Sequence, residues 1–129
     1  MKRNLKLGII FAIIIIAIIS LVFVQRTTKA RAEPSVFDDF AKCLTDNGVK
    51  MYGAFWCPHC NNQKEMFGNS WKFVNYIECS LPSRAQNDLC KNAGIQAYPT
   101  WEFSDGNRIE RELTFESLSK NSNCKLPEK

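Results

Sequence analysis

The sequence predicts an α/β domain, helices packed around a small mixed sheet, preceded by one helix long enough to cross a membrane. Three observations predict it: a single long apolar run near the N-terminus, alternating helical and strand patterns in the remainder, and six cysteines confined to that remainder. An apolar content of 45% hides the division. Between Leu7 and Val24 sixteen of eighteen residues are apolar, only Gly8 and Ser20 interrupting. At ~1.5 Å per residue such a helix spans about 27 Å, close to the thickness of a bilayer's hydrocarbon core. The 97 residues from Glu33 onward suffice for one compact core and are too few for two, which excludes a large multidomain enzyme.

The expected organisation is a cytoplasmic basic tail over 1–6, a transmembrane anchor over 7–24, a polar linker over 25–34 and a folded domain over 35–129. Net charge is +4, but Lys2, Arg3, Lys6, Arg26, Lys29 and Arg31 supply +6, leaving the folded part at −2. No basic stripe remains on that part, so nucleic-acid binding is not expected. Ala30-Arg31-Ala32 has the small-x-small form of a signal-peptidase site, yet Arg26, Lys29 and Arg31 lie between the apolar run and the candidate cut, favouring a retained anchor. Three basic residues flank the run on either side, so charge alone does not orient it. The cysteines do: six in so small a domain suit an oxidising compartment, placing the domain on the extracytoplasmic side, whether periplasmic, lumenal or outer.

Ser35 followed by Asp38 predicts a helix start, with an apolar stripe of Val36, Phe37, Phe40, Ala41 and Leu44 running to Gly48. Val49 to Trp56 reads as a buried strand. Cys57 to Phe67 suits a helix, with Pro58 in the first turn, where its missing N–H costs little, and Gly68 as the stop. Phe73 to Cys79 is a second strand, and Gln86 to Ala93 a short helix closed by Gly94. Thr100 to Phe103 and Arg108 to Glu112 flank a Ser104-Asp105-Gly106-Asn107 turn and predict a hairpin. Thr114 then caps a last helix through about Lys120.

This order places Cys57-Pro58-His59-Cys60 where the first strand hands over to a helix. Cys57 at the helix N-terminus would have unpaired backbone N–H groups directed at its sulfur, which favours thiolate over thiol and makes Cys57 the candidate nucleophile. Cys60, one turn along, is close enough to close a disulfide or to resolve a mixed one. His59 at the same helix start can direct a hydrogen bond or positive charge toward Cys57, and stabilising that thiolate makes the disulfide easier to reduce. The alternative for His59 is a solvated turn residue.

Phe55-Trp56-Cys57-Pro58-His59-Cys60 and Tyr98-Pro99-Thr100 resemble the active-site and cis-proline motifs of the thioredoxin superfamily. The wider run Val49 to Cys60, with Gln63-Lys64, Glu78-Cys79 and Tyr98-Pro99-Thr100-Trp101, is similar to one branch of it. That branch is the thioredoxin-like domain fused to, or encoded beside, homologues of vitamin K epoxide reductase. The resemblance covers residues 35 to 124 and implies a thioredoxin-like sandwich, a mixed four-stranded sheet flanked by helices. It further implies a disulfide-forming system that oxidises free thiols of substrate proteins and passes electrons to a quinone-linked membrane partner. The Pro58-His59 pair also resembles that of a strongly oxidising periplasmic oxidase. On this footing Trp56, Tyr98, Pro99 and Thr100 border the substrate groove, whereas Trp101 reads as a core aromatic. No cofactor is expected beyond the Cys57/Cys60 disulfide. One departure stands out: many superfamily members carry a buried acid six residues before the first active-site cysteine, and here that position is Met51. The role of handling the proton of Cys60 is therefore unassigned.

Cys43, Cys79, Cys90 and Cys124 allow three pairings that sequence alone cannot rank. Placement on the expected fold brings Cys79 near Cys90, and Cys43 near Cys124, and the resemblance implies the same structural disulfides. A rival role for one pair is to shuttle electrons between Cys57/Cys60 and the membrane. A zinc module built from Cys57, Cys60, Cys79 and Cys90 is disfavoured because the last two stand ten residues apart and His59 is the only histidine. The remaining alternatives are an isomerase or reductase of the same fold, or a redox-inert domain that only presents peptides.

Overall fold

A computed structural model describes residues 2–28 and 35–128 of the chain. The chain divides into two compact units, Met1–Pro34 and Ser35–Lys129. In the first, α1 runs from Lys2 to Thr28 as one helix. Large apolar side chains between Phe11 and Phe23 stand exposed, and the one polar side chain among them, Ser20, donates its hydroxyl to the carbonyl of Ile16 at 2.8 Å. Among the described residues, no helix is both long and apolar enough to cross a membrane; the side chains described in α1 are Gly8 and those of residues 11–23. Most of the expected linker, residues 29–34, lies outside the described residues, and the Ala30-Arg31-Ala32 site with it.

The second unit is a mixed four-stranded sheet with flanking helices, an arrangement that fits an α/β thioredoxin-like fold. The strands are β1 (Lys50–Gly53), β2 (Tyr76–Glu78), β3 (Thr100–Glu102) and β4 (Arg108–Ile109), in the order β2-β1-β3-β4. β1 and β2 pair in parallel, with Gly53 opposite Glu78, and α3 (Pro58–Phe67) makes the crossover between them. β3 runs antiparallel to both β1 and β4. Alternation along β1 sorts the core: Met51 joins the larger cluster of Phe40, Leu44, Phe67, Trp101 and Leu118, whereas Tyr52 joins Cys79, Cys90 and Ile95 on the other side.

The helices α2 (Asp38–Asp46) and α5 (Phe115–Ser122) meet in the larger cluster. The Phe115 ring stacks on Phe37 at 4.2 Å and takes the edges of Phe40 and Phe67. Thr114 caps α5, its hydroxyl accepting from Ser117 N–H. α4 (Asp88–Asn92) is capped by Asn87, whose side chain accepts from Cys90 N–H.

Three sequence expectations are corrected. Ser35 is not the helix cap: α2 begins at Asp38, the Asp38 amide closes a turn onto the Ser35 carbonyl, and Val36 is exposed rather than part of the buried stripe. The first strand stops at Gly53 instead of Trp56, because the Cys57 amide turns back to the Ala54 carbonyl at 3.0 Å. The second begins only at Tyr76, since after Gly68 the chain winds a 3-10 turn from Gly68 to Phe73. Gly68 itself holds φ 52°, the left-handed value that ends α3.

Candidate active site

Cys57 occupies the cap position of α3, with extended backbone angles, and Pro58 begins the helix without forfeiting a hydrogen bond. Cys60 follows one turn later on the buried face. Both thiols are unbridged and both are buried, Cys57 at 5% exposure and Cys60 at 0%. The Cys57 thiol donates to the Tyr98 carbonyl at 3.6 Å, across from the cis Tyr98–Pro99 bond. Burial pushes the Cys60 thiol up to about 12, a bond with Ala54 only partly opposing it and the neighbouring Cys57 adding to it. A sulfur so placed is a poor thiolate until something takes its proton.

The loop carrying Cys57 is fastened from the β2 side. Glu78 accepts from Phe55 N–H at 3.2 Å and Ser80 N–H at 2.9 Å, and Trp56 Nε1 donates to Ser80 Oγ at 2.8 Å. Trp56 remains 39% exposed and meets Tyr98 edge-on, so these two rings stand together beside Cys57. On the α3 side, buried Gln63 accepts from Leu113 N–H and Trp101 Nε1–H and donates to the Leu113 carbonyl. That fixes Leu113 and Trp101 against the active-site helix.

His59, Tyr98, Pro99, Glu110, Arg111 and Glu112 line a cleft of about 350 Å³ on this side. The His59 ring is solvent-exposed and its Nδ1 lies 2.5 Å from Glu112 Oε1, which also accepts from Asn62. The hydrogen bond of the His59 ring therefore runs to the Glu112 carboxylate beside the helix start. Pro99 and Thr100 are both fully buried, the Thr100 hydroxyl donating to the Ala97 carbonyl, and Tyr98 is half-buried. Glu110, Arg111 and Glu112 escaped the sequence reading, because some fifty residues separate them from the cysteines and only the hairpin return brings them there.

Of the other cysteines, Cys43 is bonded to Cys124 and Cys79 to Cys90. The first bridge ties α2 to the segment after α5, and the second ties the end of β2 to α4. Cys79 and Cys90 therefore offer no thiolates to a metal alongside Cys57 and Cys60. Trp101 is a core residue, wholly buried.

No family model matches the chain. It is similar to a protein of Arabidopsis thaliana named thiol-disulfide oxidoreductase LTO1, 46% identical over 70 residues. The match takes in 50% of this chain and only 19% of the relative, so the chain spans a small part of that protein's length.

Proposed function

We propose that this chain is a thiol–disulfide oxidoreductase that oxidises thiol pairs in client proteins. The observation that carries the reading is the unequal pair of sulfurs at the start of α3, Cys57 reachable and facing the Tyr98 carbonyl, Cys60 sealed behind it. The name of the plant relative supports a redox function. A client thiolate attacks Cys57 of the Cys57–Cys60 disulfide; that bond breaks, Cys60 leaves with the electron pair, and a mixed disulfide joins Cys57 to the client. A second client thiolate attacks the client's own bridged sulfur, releasing Cys57 and leaving the client oxidised and the enzyme reduced by two electrons. No cofactor beyond the two sulfurs enters these steps.

Turnover then needs an oxidant, for which we propose a quinone-linked membrane protein resembling vitamin K epoxide reductase, with α1 anchoring the domain nearby on the extracytoplasmic side. The apolar exposed surface of α1 and two further disulfides support that placement. Replacing Cys60 with alanine in the full chain should accumulate mixed disulfides through Cys57, naming clients and partner together; a folded variant that traps nothing refutes Cys57 as the attacking sulfur. The direction is tested by equilibrating the Cys57/Cys60 pair with glutathione. A potential at or below roughly −270 mV makes the protein a reductase instead.

A further inference from the structure

We propose that Tyr76 and Glu78 are the proton relay of the resolving thiol, the phenol of Tyr76 passing a proton between the Cys60 sulfur and the Glu78 carboxylate. The inference rests on the redox reading above and supplies the group that reading lacks. Met51, where superfamily members often place an acid, is apolar and fully buried. Cys60 is sealed from solvent and holds its proton tightly, so every turnover requires a protein group to accept that proton and return it.

Gly53 shows which group is near. A Cβ built there would lie 3.0 Å from Cys60 Sγ, 3.2 Å from the Tyr76 hydroxyl oxygen and 2.8 Å from Tyr76 Cε2. Thiol and phenol thus flank the same bare stretch of backbone, and only glycine admits both. The phenol donates to Glu78 Oε2 at 2.8 Å, while Glu78 Oε1 is fixed by the amides of Phe55 and Ser80. Parallel pairing of β1 with β2 puts Glu78 opposite Gly53, and residues 76 and 78 share a face of the strand. The Tyr76 ring is held in turn by Lys64 Nζ, 3.9 Å from its centre, and by Trp71 at 5.5 Å. Burial, with Glu78 beside it, raises the Tyr76 hydroxyl far above its usual value, so it acts as a conduit that never rests as phenolate. The titratable groups facing Cys60 are Cys57 and Lys64 from α3, Tyr76 from β2 and Tyr98 from the loop before β3; Tyr98 also faces Glu78.

When Cys60 resolves a mixed disulfide, the Glu78 carboxylate takes the phenolic proton as the phenol takes the thiol proton. The net change is a carboxylic acid at Glu78 and a thiolate at Cys60. That thiolate attacks the Cys57 sulfur, the Cys57–client bond breaks, the Cys57–Cys60 bond forms and the client departs as thiolate. When a client opens the Cys57–Cys60 disulfide, the same proton returns to Cys60 as its sulfur leaves.

The test uses the full chain carrying glutathione on Cys57 and follows glutathione release by Cys60 across pH. Y76F and E78Q should release it at least about tenfold more slowly near neutrality and approach the unaltered rate only in alkali, with E78D recovering part of the loss. E78Q keeps an acceptor oxygen for Phe55 and Ser80, so it carries the test should Y76F fold poorly. Alkylation of Cys57 should be unaffected in either variant, which separates proton handling from a shifted loop. Unaltered rates and pH profiles in the folded variants overturn the relay, as does a release rate in the unaltered protein that is the same in heavy water. If the unaltered chain cannot form a Cys57–glutathione bond, or forms it and never displaces the glutathione, the redox reading itself is at fault.

Discussion

The two structural bridges close loops of very different length, 81 residues for Cys43–Cys124 and 11 for Cys79–Cys90. If each acts chiefly by restricting the unfolded chain, the entropy of loop closure gives about 4.5 kcal/mol for the longer and about 2.8 for the shorter at 25 °C. Replacing Cys43 and Cys124 with alanine should therefore cost roughly 1.5 to 2 kcal/mol more than replacing Cys79 and Cys90. Packing losses do not favour that order, because Cys79 and Cys90 are both fully buried whereas Cys43 is only half-buried. The shorter loop lies inside the longer and abbreviates it little. The assay is urea unfolding of the full chain in both double variants, followed by tryptophan fluorescence, with Cys57 and Cys60 replaced by serine throughout so that neither can re-pair. Equal losses, or a larger loss on removing Cys79–Cys90, would refute the argument and place the stabilisation in contacts of the folded state.

Q63L should destabilise the domain by at least about 3 kcal/mol in the same assay, since it strands the Leu113 amide, the Leu113 carbonyl and the Trp101 indole N–H, each worth roughly 1 to 3 kcal/mol when buried without a partner. A loss below about 1 kcal/mol would mean that those groups find water. Glu102 provides a pH test. Burial opposes its ionisation, but hydrogen bonds and charge from Arg108 and Lys50 prevail and hold the carboxyl below its usual 4.5. Its folded value being depressed, its stabilisation is present above about 4.5 and lost as pH falls through the lowered value. The stability gap between the unaltered protein and E102Q should accordingly be constant from neutrality down to about 4.5 and shrink as pH falls further, and a gap independent of pH would contradict the assignment.

The helices that frame the site were legible because their ends are written locally. Pro58 and Gly68 bound α3, and Thr114 marks α5. Strand lengths were overread since Ala54, Phe55 and Trp56 continue an apolar run after the backbone has left the sheet to present Cys57. The 3-10 turn at Gly68–Phe73 has no apolar period to betray it. At the site, the two-residue gap between the cysteines sufficed for Cys57 and Cys60, but the partners of His59 and Cys60 depend on register. Glu112 reaches His59 through the hairpin return, and Tyr76 reaches Cys60 only because β2 lies parallel to β1. A glycine inside the apolar run Met51 to Trp56 was the one local sign that something must come close there.

The difference in access between the two sulfurs dictates an order of events as well as a pair of roles. A molecule arriving from solution, whether client, oxidant or small reagent, meets Cys57 before Cys60, which is wholly buried. Every covalent adduct the protein forms must then be an adduct of the same atom, and the hidden partner can act only on what is already attached there. The choreography is set by a closed door, so a population caught midway contains one intermediate and not two.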